Sequence, residues 1–261
     1  MLFKANQFNP ITLSHVMKFT YLICSYFLLI PTLNGAAMAS DSLPPKKLTL
    51  VYQASKDGKP FATVNETFTH DGTHYRIESI TKGIGIYALF GERKLLSIGD
   101  LTAKGLQPNH FEALQGVNAK KTVSADFDWA NLTLNMVQKE ITSTAVLNTG
   151  SQDLLSFSYQ FMFINFETPK TTEYALYLAT GKKYKPYKFS VEQPLELTIT
   201  AAGQFKTNHL KEITADNKPA SKEIWLGLKN SGIDAYNFPV KLIIRDDNGT
   251  IEEVLSSIHA E

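Results

Sequence analysis

The chain has 261 residues, 43% of them hydrophobic, with 26 basic and 25 acidic residues and a formal net charge of +1. That balance lacks the basic footprint of a nucleic-acid binder. A single cysteine excludes an intramolecular disulfide framework, and the length suits one domain with a sizeable core.

Residues 1–39 come first and read as an export segment. Met17-Lys18 is a short basic start, Phe19 to Leu33 is mostly apolar, and Ala37-Met38-Ala39 is a small-x-small cleavage site. The apolar run is shorter than the roughly 20 residues of a spanning helix, and Pro31 breaks it. The expectation is an N-terminal extension with a cleaved secretory signal peptide over 1–39, Met17 as the start, and one β domain over 40–261. Cleavage after Ala39 removes Cys24 and two lysines, which leaves 24 basic and 25 acidic residues and no cysteine. No second long apolar run follows, so no transmembrane anchor is expected after cleavage. Ser42-Leu43-Pro44-Pro45 reads as a flexible lead-in.

From there the pattern alternates with period two. Leu48, Leu50, Tyr52 and Ala54 form one apolar face, as do Val123, Ala125, Phe127 and Trp129. Leu195, Leu197 and Ile199 form another, and Ile224, Leu226 and Leu228 a fourth. Each predicts a strand with one face on a core and the other toward water. Turn signals fall between them at Lys56-Asp57-Gly58, Asp71-Gly72, Gly91-Glu92, Trp129-Ala130-Asn131, Gly181-Lys182 and Asp247-Asn248-Gly249. The predicted fold class is mainly β: an antiparallel meander forming a strongly curved sheet or partly open barrel.

One segment differs. Ser151 or Asp153 has a side-chain oxygen able to cap a helix. Leu154, Phe157, Phe161 and Ile164 then make an apolar stripe, with more apolar residues around it. This predicts one short buried helix near 153–165, with a strand as the alternative.

Catalytic motifs are absent: no Gly-x-Ser-x-Gly, His-Glu-x-x-His or phosphate-binding loop occurs. Gly83-Ile84-Gly85 reads as a bend. His70 and His74 around Asp71-Gly72-Thr73, even with Asp57, mark no third ligand by spacing, so neither a metal nor another cofactor is expected. His110 falls in a predicted loop and His209 in a predicted strand or turn. Either would serve a cryptic hydrolase, but no nucleophile stands beside them, and no catalytic residue is assigned. Lys182 to Lys188 is basic and aromatic. Within it Lys183, Tyr184, Lys185 and Tyr187, together with His209, are the candidate ligand contacts; the lysines equally suit protection of a strand edge.

Six landmarks occur in order: Gly105-Leu106-Gln107-Pro108 with Phe111, Phe127-Asp128-Trp129, Gly150 to Ser156, Gly203 to Thr207 with His209-Leu210, Glu223 to Leu226, and Phe238-Pro239-Val240. In this the chain resembles the exported bacterial domain-of-unknown-function 3108 family. The resemblance implies a periplasmic protein of mostly antiparallel β structure, and it brings no activity and no site residues. Pro239 fits the first position of a strand, and Asp128 fits a cap for the turn at Asn131. The reading this supports is a non-catalytic binding or carrier module for a lipid or other apolar envelope ligand. The alternative is a structural or interaction protein with an envelope protein as its partner.

Overall fold

A computed structural model of the chain describes residues 43–116, 122–164, 166, 173–214, 221–231 and 234–261. The expected signal peptide, with Met17 and Cys24, lies outside the described residues.

Eight strands come first: β1 (Lys47–Lys56), β2 (Lys59–His70), β3 (His74–Gly83), β4 (Arg93–Thr102), β5 (Gly105–Gln115), β6 (Val123–Asp128), β7 (Thr133–Gln138) and β8 (Ile141–Val146). After β9 (Gln152–Asp153) and helix α1 (Ser156–Gln160) come β10 (Glu173–Ala179), β11 (Tyr184–Thr200), β12 (Gly203–Glu212), β13 (Lys222–Ser231), β14 (Asp234–Asp246) and β15 (Gly249–Ala260). All fifteen form one sheet in the order β8 to β1, then β15 to β9. Neighbours are antiparallel except β9 and β10. The first and last strands therefore pair at the centre, Leu48 opposite Ala260 and Ala54 opposite Glu253. Lys47 and Glu261 close this pair with an ion pair at 2.8 Å.

The sheet curves because its alternation is one-sided and repeatedly interrupted. Leu48, Leu50, Tyr52 and Ala54 of β1 are buried, as are Ala62, Val64, Glu66 and Phe68 of β2. Register shifts at Val51/Tyr52, Ala54/Ser55, Ile98/Gly99, Glu192/Glu196 and Trp225/Leu226 bend the strands further. Gly99 sits at one of these bends. A Cβ there would lie 2.1 Å from the Gln107 carbonyl oxygen and 2.7 Å from Pro108 Cα. Gly99→Ala should therefore cost about 3 kcal/mol, measured as a lower urea midpoint at unchanged slope.

Between β8 and β10 the chain crosses the concave face and fills it. Phe157, Tyr159, Phe161, Met162 and Phe163 are all buried, as expected for a helix apolar on every side. Tyr159 stacks on Phe68 at 5.7 Å, and Phe161 meets Phe189 edge-on at 5.7 Å. The expected helix is present but shorter than 153–165: α1 gives way to a 3-10 turn over Phe161–Phe163, and Gln152–Asp153 extend instead. Asp153 Oδ1 still accepts from the amides of Leu155 and Ser156, both at 2.8 Å.

Four local expectations need correction. Leu195, Leu197 and Ile199 are exposed rather than core-facing. They lie where β11 and β12 run on beyond the end of the β12–β13 pairing, as a two-stranded arm with no layer to cover it. Pro239 stands inside β14, beside the Trp225/Leu226 bulge that excuses its missing donor. His110 lies in β5, not a loop. The lead-in is held from Pro44, which is buried and accepts from His70 Nε2 at 2.9 Å. The turn expectations stand; Asp128 accepts from the Asn131 amide at 2.9 Å.

Candidate functional site

The seam of the sheet comes first, because it decides where space remains. No strand pairing joins β5 to β9 among the described residues; side chains of the crossing segment bridge the gap. Gln152 Nε2 donates to the Leu106 carbonyl at 2.8 Å, and the Leu106 amide donates to Gln160 Oε1 at 2.7 Å. Ser97 Oγ donates to Asp153 Oδ2 at 2.5 Å. Asp153 is fully buried, and that burial pushes its carboxyl up to about 6 against the hydrogen bonds that lower it.

Deeper charges lie on β2 and β15. Glu66 accepts from Tyr159 Oη at 2.8 Å, and burial raises its carboxyl above the ordinary range. Glu253 is pushed up to about 7, first by burial and then by the charge of Glu66; Arg93 opposes both. Desolvation in turn lowers Arg93.

Space opens at the end where the β1–β2, β7–β8, β10–β11 and β14–β15 hairpins and the β3–β4 connection lie. One cavity of about 540 Å³ is lined by residues including Arg93, Ala113, Gln115, Leu154, Lys139 and Lys182. A second, of about 310 Å³, is lined by Phe61, Ala62, Gly83, Tyr87, Phe90 and Arg93, with Gln115 again. Arg93 and Gln115 are cross-strand partners, so the two cavities meet at that pair. The first carries three cations, Arg93, Lys139 and Lys182, against one acid, Asp246; Asp246 is engaged by the Asn248 amide at 2.7 Å. The second is walled by aromatic rings, Phe61 and Tyr87 meeting edge-on at 5.6 Å. Tyr87 and Phe90 come from a 3-10 turn over Gly85–Phe90, where Ile86, Leu89 and Phe90 are 71%, 84% and 67% exposed.

The sequence candidates divide. Tyr184 Oη receives the Asn148 amide at 2.9 Å and lies 2.6 Å from Ser151 Oγ. Tyr187 is buried, with Lys222 Nζ 4.3 Å above its ring. Lys183 and Lys185 are exposed on the same strand approach and line neither cavity. His209 lies on the opposite face, between Glu196 and Glu223, each 2.8 Å from one ring nitrogen. Trp225 stacks on it at 4.0 Å and donates to Glu196 at 2.6 Å. Burial opposes ionisation of Glu196, but Trp225 and His209 hold its carboxyl below the ordinary range. The cluster is a self-satisfied polar patch with no hydroxyl or thiol in nucleophile position. His110 pairs with Asp126 at 2.6 Å, and His74 with Asp71 at 3.4 Å. No group of three metal-ligating residues occurs among the described residues, and no described helix is long and apolar enough to cross a membrane.

Arg93 was not among the sequence candidates. It follows directly on the turn signal Gly91-Glu92, yet Arg93, Leu95 and Ser97 share the inward face of β4. That alternation was the available signal.

The landmarks also meet in space. Trp129 Nε1 donates to the Pro108 carbonyl at 2.7 Å, His209 is opposite Trp225, and Leu226 opposite Pro239. The family model described as a protein of unknown function, DUF3108, matches residues 49–256. The chain belongs to the DUF3108 family. No curated protein matches it. Among solved structures, this DUF3108 chain is similar to a beta-barrel-like protein of the DUF1849 family from Brucella abortus. They share 9% identity over 84% of this chain and 99% of that one, with a TM-score of 0.53, a likeness of fold alone. A Parabacteroides distasonis protein assigned as a lipoprotein gives 10% identity, 84% and 98% coverage, and a TM-score of 0.35.

Proposed function

We propose that this DUF3108 protein is a non-catalytic binding module of the cell envelope that takes an apolar-tailed ligand at the open end of its sheet. The observation that carries the reading is the aromatic-walled cavity of about 310 Å³, lined by Tyr87 and Phe90 of a turn that also leaves Ile86 and Leu89 exposed. A volume of that order is ordinary for a small-molecule site. Apolar side chains left in water at the mouth of a cavity cost free energy that a covering ligand tail recovers, at about 25 cal/mol per Å². The segment 1–39, read as a signal peptide, supports the envelope location. Binding without turnover fits the His209 patch, whose groups are occupied by one another.

Native mass spectrometry of the protein purified from its own host without detergent tests this. The expected result is a discrete adduct of lipid mass at one-to-one stoichiometry, reduced in a Phe90→Ser, Leu89→Ser double variant. A clean unliganded mass for both proteins would contradict it.

A further inference from the structure

We infer that the ligand bears an anionic head that is held at Arg93, where the cationic and aromatic cavities join, while its apolar tail lies along the aromatic one. This rests on the binding reading above and adds the chemistry of the head.

Arg93 carries the argument. Its side chain lines both cavities. Among the described residues no hydrogen bond and no ion pair engages its guanidinium, although an arginine offers five donors. Several other cations of the fold have acidic partners: Lys47 has Glu261, Lys82 has Glu92, Lys241 has Glu252 and Arg245 has Glu223. Arg93 is also drawn inward. It follows the inward alternation of Leu95 and Ser97, between Thr81 and Gln115 of the flanking strands. A partly desolvated guanidinium with no hydrogen-bond acceptor is costly, and a planar fork of this kind suits a carboxylate or phosphate oxygen pair.

The surroundings favour the same sign. Lys139 and Lys182 stand on the cationic cavity's lip from two different hairpins, and the one acid there, Asp246, already accepts from its own turn. Glu253 is the charged group whose field reaches Arg93 from β15, and Arg93 favours its ionised form against burial and Glu66. The cationic cavity keeps net positive character, with three cations against one acid on its lining. On the other side of Arg93 the wall changes to Ala62, Gly83, Tyr87, Phe90 and Phe61. Gly83 lets the 85–90 turn close over this wall, since a Cβ there would lie 2.3 Å from the Tyr87 carbonyl oxygen. An anionic head and an apolar tail joined at one atom fit the two chambers; a neutral or cationic head does not use the first.

The test compares three twelve-carbon probes by calorimetry: dodecanoate, dodecanol and dodecyltrimethylammonium, each below its aggregation threshold. Wild type should bind dodecanoate at least tenfold tighter than dodecanol and should bind the ammonium weakest. Arg93→Gln should lose that tenfold preference, and Arg93→Lys should keep most of it. Equal affinity of wild type for all three probes would overturn the anionic-head inference while leaving the binding reading intact. Binding of none of them would overturn both. The wild-type comparison stands even where a variant fails to fold.

Discussion

Replacing Asp153 with alanine should lower the melting temperature by about 10 °C, from a loss of about 3 to 4 kcal/mol in a domain of this size. Asp153 is fully buried and accepts from three donors: the amides of Leu155 and Ser156, and Ser97 Oγ. Truncation strands the two amides and leaves Ser97 Oγ only its Tyr75 Oη partner at 3.0 Å; each unsatisfied buried group costs about 1 to 3 kcal/mol. Relief of the buried charge offsets part of the loss but not the orphaned amides. Asparagine retains one oxygen for the two amides and presents its NH₂ to a hydroxyl that can accept, so Asp153→Asn should cost only about 1 kcal/mol. Equal melting of the alanine variant and wild type would remove the crossing segment from its role as the seam of the sheet.

Stability should fall as pH rises from 5 to 8, and Glu253→Gln should abolish most of that fall. The folded carboxyl is raised from its ordinary 4.5 to about 7. Between those values the folded state holds a proton that the unfolded chain has released. Stabilisation is therefore complete below about 4.5 and is lost as pH climbs toward 7. At 1.36 kcal/mol per pH unit the change amounts to about 3 kcal/mol. Asp153, raised to about 6, adds loss of the same sign at lower pH, and Glu66, raised by burial, adds loss of the same sign. Tyr159 and Arg93 face the same cluster and remain in their usual charge states throughout this range. Melting curves at pH 5, 6, 7 and 8 read the effect directly. The glutamine variant should melt higher than wild type at pH 8 and differ little at pH 5; a wild type that gains stability over this range would contradict the buried-carboxylate assignment.

Much of the fold was legible because one face of most strands is buried. Leu48 to Ala54 and Val123 to Phe127 announce their strands by alternation, and Asp57-Gly58 and Asn248-Gly249 announce their turns. The same rule misled at Leu195, Leu197 and Ile199, since alternation reports a two-faced strand but not whether another layer arrives to cover it. The crossing segment was recognised as buried from its aromatics. Its shortening to one helical turn was not, because the pairing of Gln152–Asp153 with β10 is a long-range event. The cavities were least legible. They form where hairpin ends distant in sequence, around Lys139, Lys182 and Asp246, gather beside Arg93, and no spacing along the chain encodes that gathering. Tyr184 and Tyr187 stood out for their aromatic, lysine-rich context, and the structure uses both as internal struts.

The most direct measurement is an amide and methyl NMR titration of the protein with dodecanoate. The account predicts shifts concentrated at Ala62, Arg93, Ala113, Gln115 and the 85–90 turn, saturating at one equivalent. Shifts centred instead on the exposed Leu195–Ile199 arm or on β8, or none anywhere, would contradict it.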